Sequence, residues 1–196
     1  MIAAGVPRIV FSSSCATYGM PAEMPITEET MQCPVNPYGE TKLMCERLIR
    51  WFGESHGIRW TILRYFNAAG ADPDGELCEM HDPETHLIPL VLRSVLAGEP
   101  VHVFGTDYGT PDGTCVRDYV HVSDLAAAHV LAMGKLAEGA TEIAVNLGTG
   151  QGHSIREVIA AAEQVTGRVA QMTNSPRRPG DPPVLTASVG KAYETL

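Results

Sequence analysis

The sequence predicts an α/β fold with parallel strands, on three observations. Short apolar runs of buried-strand type recur along the chain, segments of helical period separate them, and glycines stand where those helices should stop. The order strand, helix, strand, helix is that of parallel pairing through crossovers.

Taking the elements in order, Met1 to Ala4 reads as the last turn of a helix with Gly5 in the left-handed stop position. Arg8 to Ser13 is a short buried strand. From Pro37 to His56 the pattern is helical: Leu43, Met44, Leu48, Ile49 and Phe52 recur at helical spacing, and Gly57 closes the segment. Trp60 to Tyr65 is the next strand. A helix follows from about His86 to Leu96, then a strand at Val101 to Phe104 and a turn-rich stretch from Gly105 to Thr114. A helix from Ser123 to about Leu136 takes Ser123 or Asp124 as its cap. Ile143 to Asn146 is a further strand. A glycine-rich turn at Gly148 to Gly152 leads into a capping box, Ser154 with Glu157, that opens a helix to about Thr166. Pro176 to Pro183 is a proline- and arginine-rich loop, and Ala187 to Leu196 reads as a helix that is cut off. Gly148-x-Gly150-x-Gly152 places its third glycine one position early for a dinucleotide loop, so a tight turn is expected there.

Composition narrows the function classes. The chain has 196 residues, 44% apolar and 19% charged, as a globular protein does, and a net charge of −9. That charge argues against nucleic acid or an anionic membrane as partner, since both need a positive field. No apolar run is long enough to span a bilayer and no signal peptide opens the chain, so a cytoplasmic location is expected. The five cysteines and seven histidines show no metal-type spacing; reduced thiols and no metal site are expected.

Two local features suggest chemistry. The triple serine Ser12-Ser13-Ser14 lies where the first strand runs out, and in open α/β sheets ligands sit beyond the carboxyl ends of strands. Tyr38 and Lys42 lie four residues apart on a helix, hence on one face. Such a pair can take a proton from an alcohol. A free tyrosine has a pKa of about 10, so half ionisation near pH 7 needs roughly 4 kcal/mol. An ammonium about 6 Å away, at an effective dielectric of about 20, supplies near 3 kcal/mol. A second positive charge, such as an oxidised nicotinamide ring, closes the gap.

Phe11 to Gly19 (FSSSCATYG), Pro37 to Met44 (PYGETKLM), Leu63 to Ala71 (LRYFNAAGA), His86 to Pro89, Val116 to Val122 (VRDYVHV) and Asn146 to Ser154 (NLGTGQGHS) occur in this order. Together they resemble the UDP-glucose 4-epimerase family of the extended short-chain dehydrogenase/reductase superfamily, from about residue 5 to about residue 192. The resemblance implies the carboxyl-terminal part of an NAD(P)-binding Rossmann-like parallel sheet plus a smaller sugar-nucleotide-binding subdomain. Residues 1–80, with the strands near 101–146 interleaved, would form the partial catalytic part, and residues 81–196 mainly the substrate-binding part.

The resemblance also implies roles. Tyr38 would be the general base, Lys42 would hold the nicotinamide ribose, and Ser14 would bond the sugar oxygen at the reacting carbon. Ser12 and Phe66 would be cofactor contacts. Asn67, His86 and Leu87 would contact substrate, although relatives carry asparagine at the position of His86. Val103 and Phe104 resemble the strand beside the uracil, Arg117 and Arg178 would grip the diphosphate, and Asp181 would hold the ribose. Leu185 lies where the family varies the bulk allowed at sugar carbon 2. The implied cofactor is NAD, the partner a UDP-sugar, and a homodimer is open. The implied reaction is epimerisation at sugar carbon 4 through a keto intermediate, interconverting UDP-galactose and UDP-glucose.

The family's glycine-rich phosphate loop is missing from this sequence. On the order of 100 residues are therefore expected ahead of Met1, with a shorter loss at the far end. An exposed sheet edge, self-association and weak binding of NAD by the chain alone follow as expectations. Two alternatives stay open: an inactive sugar-nucleotide-binding fragment, and an epimerase of UDP-pentose or UDP-N-acetylhexosamine. A 4,6-dehydratase is disfavoured, because Cys15 and Ala16 stand where that chemistry needs an acid and a base.

Overall fold

The computed structural model describes residues 1–196. Its strands and helices in chain order are β1 (Arg8–Ser14), α1 (Pro37–His56), β2 (Arg59–Tyr65), β3 (Asn67–Ala69), α2 (Leu87–Ala97), β4 (Pro100–Phe104), β5 (Val116–His121), α3 (Val122–Glu138), β6 (Glu142–Leu147), β7 (Gly152–Ser154), α4 (Ile155–Thr166), β8 (Gln171–Ser175), β9 (Val184–Leu185) and α5 (Gly190–Thr195). Tight 3-10 turns occupy Ile2–Ala4 and Cys15–Tyr18.

The main sheet is parallel, in the order β1-β2-β6. Ser12 lies opposite Leu63, and Leu63 opposite Val145. Side chains alternate between faces along a strand, and β1 shows which helix covers which face. The Ser12 hydroxyl bonds His129 Nε2 of α3 at 3.0 Å, whereas the Ser13 hydroxyl donates to Glu46 Oε1 of α1 at 2.5 Å. The two helices therefore cover opposite faces. On the α3 face, Leu63, Val145, Ile143 and Leu147 pack with Leu125 and Ala132, all buried. Each large apolar side chain so buried contributes about 1.5–3 kcal/mol.

A second small sheet places β5 parallel to β3 and β9 and antiparallel to β7. A third pairs β4 with β8 in parallel, covered by α2 and α4 through Val91, Val95, Val101, Val103, Ile159 and Ala162. No helix is long and apolar enough to cross a membrane, and all five cysteines are free thiols.

Several details differ from the sequence-based expectation. The helix expected from Ser123 begins at Val122 and is capped by His121, whose Nδ1 accepts the Ser123 N–H at 3.1 Å. The helix expected over Ala187 to Leu196 is confined to Gly190–Thr195, because Ala187 is drawn into a bridge with Ile26. β3, β5, β7, β8 and β9 lie outside the strands that the sequence pattern predicts. The capping box at Ser154 and Glu157 forms as expected, with both hydrogen bonds present.

Candidate active site

The end of β1 and the start of α1 meet at one point, and local sequence explains why. Ser14 caps the 3-10 turn Cys15–Tyr18, its hydroxyl accepting the Ala16 N–H at 3.2 Å. As an acceptor there, the hydroxyl keeps its own proton for another partner. Asn36 caps α1 by accepting the Gly39 N–H at 2.8 Å, and Pro37 sits at the first helical position, where its missing N–H costs nothing. A side chain at position 39 would press to 2.4 Å from the Ala16 carbonyl oxygen. Glycine there allows the first turn of α1 to lie directly on the turn that follows Ser14.

This contact brings Tyr38 and Lys42 to the strand end. Lys42 Nζ donates to the Ser12 carbonyl at 2.9 Å and lies 5.6 Å from the centre of the Tyr38 ring. Tyr38 is 54% exposed, so its phenol is within reach of a solute. The lysine uses one of its three donors on the protein and has two to offer elsewhere. The neighbouring Cys15 thiol is pushed up to about 11 by burial and stays protonated at neutral pH.

Beneath this cluster runs a buried polar network that sequence reading did not identify. Arg64 donates to both carboxylate oxygens of Glu46, at 2.9 and 2.6 Å, and to the Tyr18 hydroxyl at 2.8 Å. Tyr18 donates onward to Asn146 Oδ1 at 2.7 Å, and Gln32 reaches Glu46 Oε2 at 3.0 Å. Burial pushes the Glu46 carboxyl up, but the hydrogen bonds and charge of Arg64 outweigh it, and the net direction is down. Burial likewise pushes the Tyr18 phenol up, to about 12. The network joins β1, α1, β2 and β6, and fixes how the Tyr38-bearing helix sits against the Ser14-bearing strand.

The residues expected at substrate form a second group. Leu87, Phe104, Arg178 and Asp181 line one cavity of about 290 Å³, with Thr85 and His102. The Arg178 guanidinium stacks 4.0 Å over the Phe104 ring and makes no ion pair. Arg117, 8% exposed, bonds the Val116 carbonyl at 2.7 Å and pairs with Asp181. The sequence-based expectation gave Arg117 to a diphosphate and Asp181 to a ribose; here they hold each other. Val103 is 1% exposed, its side chain in the α2–α4 core and its backbone paired with Asn174 of β8. Phe66 is 6% exposed among Tyr18, Ile26 and Ala187, which leaves little of its ring for a cofactor. Asn67 is exposed at the start of β3. Leu185 packs at the edge of the Tyr18 cluster.

The glycine-rich turn is structural. Two of its amides are taken by the buried Asp118, which accepts from Thr149 N–H at 2.7 Å and Gly150 N–H at 3.0 Å, and also from Ala187 N–H at 3.1 Å. A Cβ at Gly148 would stand 2.5 Å from that carboxylate, so only glycine fits. The amides that a dinucleotide phosphate would need are thus satisfied from within.

His86 stands among carboxylates. It ends the loop before α2 without capping it, and its Nδ1 faces Glu79 at 2.6 Å and Glu84 at 3.0 Å. Histidine spacing predicted no metal-type cluster, yet the fold brings Glu79, His81, Glu84 and His86 together, with ligand atoms all within 4.8 Å. The physical reason is local: Glu84 accepts the Thr85 and His86 amides at 2.7 and 2.8 Å, which curls the loop back on itself. The His86 amide, first, holds the Glu84 carboxyl down to about 2.

A parallel sheet with a serine at the strand end, and a tyrosine and lysine on the following helix, defines an α/β protein of Rossmann-like type. The NAD dependent epimerase/dehydratase family matches residues 1–148, and the chain belongs to it. A UDP-glucose 4-epimerase of Rhizobium meliloti is 50% identical over 196 residues, covering 100% of this chain and 60% of its own length. That of Streptococcus mutans is 52% identical, covering 98% and 58%. Among solved structures, the UDP-glucose 4-epimerase of Brucella ovis in complex with NAD superposes with a TM-score of 0.94 at 50% identity, over 99% of this chain and 60% of that one. The enzyme of Stenotrophomonas maltophila with bound NAD and formylated UDP-arabinopyranose gives a TM-score of 0.94 at 41% identity, over 98% and 58%. The chain spans about 60% of the length of the curated relatives it matches.

Proposed function

We propose that this chain carries the catalytic and sugar-binding part of a UDP-glucose 4-epimerase, acting on UDP-galactose and UDP-glucose at sugar carbon 4. The observation that carries the reading is Lys42 set beside an exposed Tyr38 on a helix turn packed against Ser14. Around it stand relatives of that activity at about 50% identity. Tyr38 takes the proton from the carbinol hydroxyl as its carbon is oxidised. The proton acceptor is the Tyr38 phenolate, which the Lys42 ammonium favours through space and which becomes a neutral phenol on transfer, and the two unused donors of Lys42 suit the hydroxyls of a nicotinamide ribose. Ser14 donates to the sugar oxygen, ordering the carbinol toward Tyr38. NAD, when bound, supplies the acceptor and later the donor of hydride.

Residues 1–80 with the interleaved strands near 101–146 are assigned to catalysis, and residues 81–196 mainly to the nucleotide. There Arg178, without an ion pair and over the Phe104 ring, is the first grip on a diphosphate. Arg117 joins it by exchanging Asp181 for phosphate, which frees Asp181 for a ribose hydroxyl. A homodimer is part of the proposal, since Met44, Leu48 and Trp51 are exposed on one face of α1.

The test is conversion of UDP-galactose to UDP-glucose with NAD, by the chain alone and by the chain mixed with the portion of a relative that it does not span. Turnover that Tyr38→Phe abolishes supports the proposal. UDP-sugar binding without turnover in either arrangement establishes the inactive binding fragment instead, and preference for UDP-N-acetylglucosamine in the same assay would reassign the substrate.

A further inference from the structure

We propose that Glu79, His81, Glu84 and His86 form a site for a first-row divalent cation, zinc foremost, in the loop that leads into α2. Two imidazoles and two carboxylates are a donor set that zinc accepts in four-coordinate geometry. With bonds of about 2.1 Å, neighbouring ligands of a tetrahedral ion stand roughly 3.4 Å apart. The nitrogen–oxygen separations here are 2.6 and 3.0 Å from His86 Nδ1 and 3.3 and 3.7 Å from His81 Nδ1. They straddle that value, and both histidines present the same ring nitrogen inward.

Hydrogen bonds alone satisfy this arrangement poorly. His86 Nδ1 carries at most one proton and faces two carboxylates at once. His81 Nδ1 lies 3.7 Å from Glu84 Oε2, beyond hydrogen-bond range. That oxygen accepts no hydrogen bond in the fold, although the Glu84 side chain is only 1% exposed, while Oε1 receives the two backbone amides and His86. A carboxylate oxygen of a buried side chain 3.7 Å from an imidazole nitrogen is placed as two ligands of one ion are. The two carboxylates bring two negative charges, which a divalent ion cancels. The backbone amides of Thr85 and His86 fix the Glu84 carboxylate from outside, as outer partners of metal ligands do. Access is open, because Glu79 and His81 stand on the wall of a cavity of about 540 Å³, larger than the one that holds Arg178.

The ion would tie residues 79–86 to the start of α2 through His86. Zinc binding is measured without turnover, so the proposal stands or falls apart from the epimerase reading. The chain, stripped with a chelator and dialysed, is titrated with Zn²⁺ calorimetrically, and retained metal is counted by mass spectrometry after gel filtration. One zinc per chain is expected, and Co²⁺ in its place should give the visible absorption bands of a four-coordinate ion. Loss of an outer partner of a metal ligand weakens binding about 10–100-fold, so His81→Ala and His86→Ala should each cost at least as much. His153→Ala, outside the cluster, should cost nothing. His81 is more than half exposed, so His81→Ala keeps the test available if His86→Ala folds poorly. No retained zinc, or retention undiminished in the His81→Ala, His86→Ala double variant, overturns the proposal.

Discussion

Replacing Arg64 with methionine would remove the only guanidinium hydrogen-bonded to Glu46. Glu46 is 0% exposed and Arg64 2%. The substitution deletes two hydrogen bonds to the carboxylate and one to the Tyr18 hydroxyl, and strands a carboxylate whose remaining partners, Ser13 and Gln32, are neutral. Breaking a buried pair on one side costs about 3–5 kcal/mol, which is two to nearly four decades in the folded-to-unfolded ratio. With a urea slope near 2 kcal/mol per molar, the midpoint should fall by about 2 M. The assay is urea unfolding followed by circular dichroism. The double variant Glu46→Leu, Arg64→Met should recover much of the loss, because no lone charge is then buried. A midpoint shift under about 0.5 M for Arg64→Met would refute the reasoning, as would a double variant as unstable as the sum of its parts.

Three further outcomes are expected. Tyr38→Phe should lower kcat by about 10²–10⁴ in whichever arrangement turns over and leave the thermal midpoint unchanged, since the side chain is largely exposed; an unchanged kcat would remove Tyr38 from the mechanism. Asp118→Ala leaves the amides of Thr149, Gly150 and Ala187 without their acceptor and should cost about 3 kcal/mol or more; a cost below about 1 kcal/mol in urea unfolding would contradict that account. Acid should act on Glu46 with a definite sign. Its folded carboxyl lies below its unfolded value of about 4.3, so its contribution is whole above that pH and is lost as pH falls through the lower folded value. In Arg64→Met the buried carboxyl shifts the other way, so the cost of that variant should shrink on acidification below about pH 5.

What could be read from the sequence was what depends on local pattern. The helix over residues 37–56 announces itself by proline at its start, glycine at its stop and apolar residues at helical spacing. The Ser154–Glu157 box is legible for the same reason, and so is the nearness of Tyr38 to Lys42. The epimerase resemblance rested on motifs, and the family match and the superposed relatives agree with it. Strand β8 was invisible because Gln171-Met172-Thr173-Asn174-Ser175 carries no apolar alternation; its pairing with β4 alone makes it a strand. The Glu46–Arg64–Tyr18–Asn146 network joins residues as many as 128 positions apart, which no local rule can reach. The Glu79–His86 cluster escaped because its spacing belongs to no familiar metal motif and depends on how one carboxylate folds the loop. The Arg117–Asp181 pair shows a different limit: a resemblance assigns each residue to a ligand and says nothing of the bond the two make with each other.

The interleaving of the main sheet bears on how the protein must be made. β2 is finished by residue 65, but its second neighbour, β6, ends only at residue 147. Until then, one flank of β2 offers unpaired amides and carbonyls to any passing strand. Closure over so long an intervening chain is slow. A nascent polypeptide on the ribosome therefore passes through a stage at which the Ser14 end of β1 is already synthesised while its framework is half open. Truncations or pauses within residues 66–141 should be where this protein is most prone to aggregate or to need a chaperone.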